Sequence, residues 1–431
     1  LGTIIVLNAS LSSLDELGTT RGLKPVLFVS FAAFFLLSGY EFVRSPSNTL
    51  FQKAYGAENF ALVMSFLPVM LIIAVGGYNL LLTRLKPRKT LLLITLLSAF
   101  LLAACQQAIV HGFVVAAAIL YLLRETYVTL ILEQYWSYLD SVQKESEAKR
   151  NNSIFMGMVS LGAMLGGFIV SLVAQKIGTV TLPLMAALTT LPAAVLAHWA
   201  FRYTGEPAPE VQTEAAHEMG VDRFGIEPFR KIPALRSLFL LVLCSQGVST
   251  IFYLMFQKQL QISLPSSDAQ TAFSGMFYAS LNALSLVFQF IITPLVLRRV
   301  SKRAVQLMIP SLHIATAVLF ILRPGIETAA IAFALFKSLD YSLFRSSKEL
   351  LYLPLSFDAR YRAKEWIDVV GYRISKGGTS LGLVVLQKIG LMGPNGLPFV
   401  AFGACAAWVY VAGRLTKKQG EPAAAPLIHP V

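Results

Sequence analysis

Between Lys337 and Lys376, a chain that otherwise keeps charge out of its apolar runs places Lys337, Asp340, Arg345, Lys348, Glu349, Arg373 and Lys376 in or between two of them. An ionisable group at membrane depth is costly, so it ordinarily faces an aqueous cavity or a partner and marks a substrate or ion pathway. Lys337, Asp340, Phe344 and Lys348 share one helical stripe, with Tyr341, Arg345 and Glu349 beside it. Asp340 can neutralise Lys337, and Glu349 can partly neutralise Arg345 or Lys348. Arg373 and Lys376 lie one turn apart and have only Asp368 within a turn. Positive charge is left over. Guanidinium forks and ammonium point charges are the usual partners of phosphate and carboxylate oxygens, so the chemistry fits an organic anion. Snorkelling accounts for Lys348 or Lys376 singly but not for the set.

A second constellation lies earlier. Glu125, Thr129 and Glu133 recur every four residues along one side of a helix, with Arg124 adjacent. A shift of 215 residues places Glu133 on Lys348. The two are either a gate or coupling pair, or a structural ion pair between helices. Glu125, Glu133 and Asp340 are candidates for gating, or for proton coupling if buried. Exchange of one anion for another needs no proton-carrying acid, whereas symport does, and both stay open. Gly157, Gly162, Gly166 and Gly167, then Gly377, Gly378 and Gly382, permit close helix approach. Lys376-Gly377-Gly378-Thr379 is no phosphate-cradling loop, because no strand precedes it. Ser/His/Asp constellations, metal-ligand spacings and nucleotide-hydrolysing motifs are lacking, and Cys105, Cys244 and Cys405 sit singly in apolar runs. The chain is expected to be no enzyme and to carry no cofactor.

The elements that must position these groups are membrane helices. A mean hydropathy of +0.64 with 14% charged residues is far from a soluble domain, where about 25% are charged. Runs of roughly 20 apolar residues are long enough to cross a bilayer. Spans are expected near 25–43, 59–82, 90–110, 113–138, 153–175 and 179–201, then near 236–257, 270–297, 304–322, 326–350, 367–387 and 396–414. The fold class is an all-α polytopic membrane protein, with twelve transmembrane helices in two pseudo-repeated six-helix bundles. Residues 1–24 form an N-terminal cytoplasmic segment with a short helix at Ser12–Leu17. Residues 25–202 and 236–415 are the bundles, 203–235 a charged linker, and 416–431 a Pro/Ala-rich disordered tail.

Lysine and arginine gather in alternate loops, notably Arg84–Lys89, Lys144–Arg150, Arg298–Arg303 and Arg360–Lys364, whereas the other side has Arg44, Lys53, Lys176, Lys258, Arg323 and Lys388. The positive-inside rule then puts both termini and the linker in the cytoplasm, and the bacterial inner membrane is the expected location. The net charge of +13 follows topology rather than nucleic acid. The 215-residue shift also lays Leu82–Arg88 on Leu297–Arg303 and Gly162 on Gly377, and a nearby offset lays Gln175-Lys176-Ile177-Gly178 on Gln387-Lys388-Ile389-Gly390. Duplicated halves around a central site are how many secondary transporters are built.

Several of these motifs resemble one family. Tyr341-Ser342-Leu343-Phe344, Ser347-Lys348-Glu349-Leu350-Leu351-Tyr352-Leu353-Pro354-Leu355, Asp368-Val369-Val370-Gly371, Lys376-Gly377-Gly378 and Glu147-Ala148-Lys149-Arg150 are similar to the ATP/ADP translocases. These are nucleotide transporters of plastids and intracellular bacteria with a major facilitator-like architecture. The resemblance implies roles in nucleotide exchange for Lys348 and Glu147, and Arg44 stands where the family keeps an arginine. It also implies a lysine at Ser47 and an acid at Leu254, from which this chain departs.

The expectation is therefore a monomeric secondary transporter in the lipid bilayer, working by alternating access on a small anionic substrate, a nucleotide or related phosphorylated metabolite. Arg44, Lys337, Arg345, Lys348, Arg373 and Lys376 are the candidate substrate contacts. Glu125, Glu133, Glu147, Asp340 and Glu349 are the candidate gating or coupling groups. The alternatives are a proton-coupled exporter of amphipathic compounds, and a non-transporting membrane sensor or assembly protein with the same fold.

Overall fold

The computed structural model describes residues 19–143, 145–205, 232–352, 367, 371–393 and 395–420. The Ser12–Leu17 helix, most of the linker, the Arg360–Lys364 loop and Asp368 lie outside the described residues. Every regular element among the described residues is helical. In chain order these are α1 (Thr19–Tyr55), α2 (Phe60–Ser65), α3 (Leu67–Arg84), α4 (Pro87–Val110), α5 (Val115–Val142), α6 (Glu145–Ile177) and α7 (Leu182–Thr204). They continue as α8 (Pro233–Ser263), α9 (Ser267–Val287), α10 (Thr293–Arg299), α11 (Lys302–Leu322), α12 (Ile326–Leu339), α13 (Arg345–Tyr352), α14 (Tyr372–Lys388) and α15 (Leu397–Gly420). Two π-helical turns, Phe288–Ile292 and Asp340–Phe344, join α9 to α10 and α12 to α13.

Among the described residues, ten helices are long and apolar enough to cross a membrane. Among the same residues, the expected tenth span is one helical run from Ile326 to Tyr352 with a π turn inside it, and the expected eleventh includes α14, of 17 residues. The first span is longer than its hydropathy implied. It was expected to end near residue 43, yet α1 continues to Tyr55 through Pro25 and Pro46, so Arg44 lies inside a helix rather than in a loop. Membrane helices tolerate such prolines because neighbouring groups re-satisfy the backbone. α15 likewise runs on to Gly420, past the expected start of the tail.

Local sequence explains many helix ends. Ser301 caps α11, its hydroxyl accepting from the Ala304 N–H at 3.3 Å, while Pro87 and Pro233 open α4 and α8 where the missing N–H has no cost. The repeated Gln-Lys-Ile-Gly motif does the same work twice. Gly178 at φ 82° follows the end of α6, and Gly390 at φ 75° follows that of α14. Only a residue without Cβ takes that conformation cheaply.

The chain packs as two compact units. The first comprises α1 as far as Ala54, the stretch from Val69 through α7, and α9 as far as Ser280. Its core includes Val29, Leu36, Leu120, Ile131, Phe155 and Ala186. In it α4 packs on α5 and α7, and Asp268 of α9 accepts from the Thr179 N–H at 2.7 Å. The second unit comprises Tyr55–Pro68, α8, and the chain from Leu281 onward. There α15 packs on α8 and α11, and α14 packs on α2 and α8. Large apolar side chains such as Ile72 (72% exposed) and Phe100 (67%) stay outside both cores, where a bilayer would cover them.

Candidate anion-binding site

The charged side chains gather in two clusters, one in each unit. In the first unit the cluster is built on α1. Arg44 donates from Nη1 to Glu41 Oε1 at 2.9 Å, three residues back on the same helix, and its guanidinium lies 3.5 Å from the centroid of the Tyr278 ring. Tyr40 is a second ring near that cation at 5.6 Å. Arg124 of α5 is 3% exposed and reaches across to α1. Its Nη1 donates to the Arg44 carbonyl at 2.5 Å, Ser47 Oγ at 2.9 Å and Asn48 Oδ1 at 2.6 Å. Nη2 lies 3.5 Å from Glu125 Oε1, and Tyr121 stacks below at 4.2 Å. Two cations and two carboxylates thus balance within this cluster.

The position at which the family resemblance implies a lysine, Ser47, is fully buried and takes a hydrogen bond from Arg124. The predicted set included Arg44 and Glu125 but neither Glu41 nor Arg124 as a site residue. The spacing of Glu41 and Arg44 carried the first signal. For the second, the sequence showed a cation beside Glu125 but not its partners, because Arg124 meets α1 across 76 to 80 positions of sequence. Glu133 is exposed on α5, and Glu147 is half-buried in the first turn of α6.

The second unit's cluster is built around the Asp340–Phe344 π turn. Asp340 is 6% exposed. Its Oδ1 accepts from Gln246 Nε2 of α8 at 3.0 Å, and Oδ2 lies 4.0 Å from Lys337 Nζ. Lys337 also lies 5.3 Å from the Tyr341 ring. Lys348 is 2% exposed, with Nζ 5.0 Å from the Tyr372 ring of α14. Together with Lys337 and Arg345 it sets the positive field felt by Asp340. Glu349, Arg373 and Lys376 are half-buried, while Arg345 is exposed. The segments 337–352 and 371–376 hold five cations and two acids. The excess is cationic. Leu254, where the resemblance implies an acid, is a buried apolar residue of α8.

Comparison with protein families covers the second cluster. Residues 138–339 match the Major Facilitator Superfamily and residues 325–419 match the TLC ATP/ADP transporter family. The chain is 25% identical to ADP,ATP carrier protein 1 of Chlamydia trachomatis, over 70% of its own length and 65% of the carrier's. It is 23% identical to ADP,ATP carrier protein 1 of Rickettsia bellii, over 69% of its own length and 68% of that protein. The match thus spans about two-thirds of these carriers. Among solved structures, the nucleoside transporter NupG superposes with a TM-score of 0.66 at 14% identity, covering 92% of this chain and 99% of that one. A D-xylose–proton symporter does so with a TM-score of 0.65 at 12% identity, covering 92% and 97%. The chain is an integral membrane protein with the major facilitator fold, similar in sequence to the ATP/ADP translocases.

Proposed function

We propose that the protein is a secondary transporter of an organic anion, a nucleotide or related phosphorylated metabolite, working by alternating access. The observation that carries this reading is the cationic excess around Lys348, a lysine buried at 2% exposure beside an aromatic ring. Guanidinium and ammonium groups are the usual partners of phosphate and carboxylate oxygens, and a stretch with more cations than acids suits an anionic substrate. The ADP,ATP carriers resembled here handle substrates of this class by their names.

Lys337, Arg345, Lys348, Arg373 and Lys376 are candidate substrate contacts in this reading, and Arg44 is a further candidate. Asp340, Glu349, Glu125, Glu133 and Glu147 gate or couple. The working unit is a single chain in a bacterial inner membrane with both termini cytoplasmic, a placement supported by the alternation of basic loops. Residues 25–202 and 236–415 are its two halves, joined by 203–235. Among the described residues, the buried carboxyl of Asp340 favours a second reading in which transport is coupled to protons.

The test is a thermal-shift screen of the purified chain against nucleotides, sugar phosphates and dicarboxylates, repeated with Lys348→Ala. A ligand raises the melting temperature by mass action, and the rise should disappear in the variant. Stabilisation by none of these anions would reject the proposal. Uptake into vesicles with and without a pH gradient separates exchange from proton coupling.

A further inference from the structure

The Glu41–Arg44 pair differs from a structural salt bridge in three respects. Both residues sit on α1, three positions apart, so their ion pair lies within one helix. The bracing of this region is done by Arg124, which crosses from α5 and bonds to neutral acceptors on either side of Pro46. Exposure within the pair is also lopsided. The Glu41 side chain is sealed at 1% while Arg44 keeps 16%. Finally, the Arg44 guanidinium carbon lies over the Tyr278 ring, 3.5 Å from its centroid. A stacked guanidinium meets oxygen acceptors through its in-plane N–H groups, and Glu41 Oε1 takes one of these positions at 2.9 Å.

We infer that Glu41 is an internal counter-anion: its carboxylate holds the place on Arg44 that substrate oxygens take during transport. The inference rests on the anion-carrier reading and deepens it by assigning a competitor to one of its contacts. Physically, a cation this deep needs a partner at every stage of the cycle. Glu41 supplies that partner when substrate is absent and yields it when phosphate or carboxylate oxygens arrive. Tyr278 holds the guanidinium plane throughout, and Arg124 keeps the α1 backbone fixed, so the exchange is a movement of side chains only. No bond is made or broken.

The competition sets an expected sign. Removing an occluding acid should tighten binding of an added anion, whereas removing part of an ordinary binding site weakens it. The experiment measures binding of ADP, inorganic pyrophosphate and malate to the purified full-length chain, by concentration-dependent thermal shift, for wild type, Glu41→Gln, Arg44→Gln and the double variant. Glu41→Gln should melt lower without ligand and bind the favoured probe about tenfold more tightly, the scale of one charge-assisted hydrogen bond. Arg44→Gln should bind more weakly, and the double variant should match Arg44→Gln alone. The ADP and pyrophosphate arms against the malate arm tell a phosphate substrate from a carboxylate one.

Equal or weaker binding by a monodisperse Glu41→Gln protein would overturn the inference while leaving the carrier reading intact. Binding of no probe by wild type would overturn both. If Glu41→Gln fails to fold, Glu41→Asp supplies the same comparison. It keeps the charge but shortens the reach to Arg44, so its binding should still exceed that of wild type, and binding no tighter than wild type would again refute the competitor role.

Discussion

Gln246 and Asp340 are joined by a hydrogen bond of 3.0 Å from the amide Nε2 to the carboxylate Oδ1, which ties the middle of α8 to the π turn after α12. Both side chains are buried. The donor serves an acid whose other oxygen faces Lys337 at 4.0 Å. Gln246→Leu therefore removes a hydrogen bond to a charged group and leaves its acceptor buried. The expected cost is about 2 kcal/mol, read as a lowered unfolding midpoint in detergent. A midpoint unchanged from wild type would mean that Asp340 finds another donor.

Arg124 makes a sharper case, because lysine cannot replace it. One guanidinium nitrogen serves the Arg44 carbonyl, Ser47 and Asn48, the other nears Glu125, and the plane rests on Tyr121. A lysine ammonium is a point charge without the fork or the flat face. Arg124→Lys should lower stability by roughly 2–3 kcal/mol, the worth of one charged hydrogen bond with its buried acceptors left over. Transport should fall further than folding does, since Arg44 loses its fixed backbone. Uptake and melting measured on the same preparation test this, and equal losses in both would reduce Arg124 to a general brace.

Glycine positions separate into tight and open ones. A Cβ on Gly162 would overlap the Phe34 backbone, and one on Gly166 the Ser38 backbone, where α6 crosses α1 within the first unit. In the second unit, a Cβ on Gly377 would overlap the Pro68 ring, whereas Gly378 and Gly382 have open space. Gly162→Ala and Gly166→Ala should each destabilise by about 1–3 kcal/mol through overpacking. Gly378→Ala should be neutral or stabilise by up to about 1 kcal/mol, because alanine is the better helix former. Thermal midpoints of the three variants check the contrast, and a Gly378→Ala as damaged as Gly162→Ala would contradict it.

What could be read from the sequence was local. Hydropathy placed most of the membrane helices, and a three-residue spacing paired Lys337 with Asp340. Each depends on neighbours along one helix. Arg124 on Ser47 and Tyr278 under Arg44 depend instead on which helices pack together, and no periodicity encodes that. Length and hydropathy also failed at Arg44. The apolar run weakens there, yet α1 continues because its polar residues Ser45, Asn48, Thr49 and Gln52 are buried rather than solvated. The π turns escaped for a related reason. An extra residue shifts the helical phase by about 100° at one point, which a run apolar on most sides does not reveal.

That extra residue gives the last prediction. A π turn is an α-helix with one residue inserted, and such insertions collect at functional sites because they cost stability. Deleting Tyr341, which is 44% exposed, lets Asp340–Phe344 close into an ordinary α-helical turn while α12 and α13 keep their faces. The deletion should leave the melting temperature unchanged or higher, yet abolish most anion uptake, because the backbone around Asp340 is redrawn. Tyr341→Ala is the control. It removes the ring that lies 5.3 Å from Lys337 but keeps the inserted residue, at a cost of about 0.5–1 kcal/mol for an exposed cation–π contact. Uptake retained by Tyr341→Ala and lost on deletion assigns the effect to the inserted residue. Retention in both would show that the π turn is tolerated rather than used.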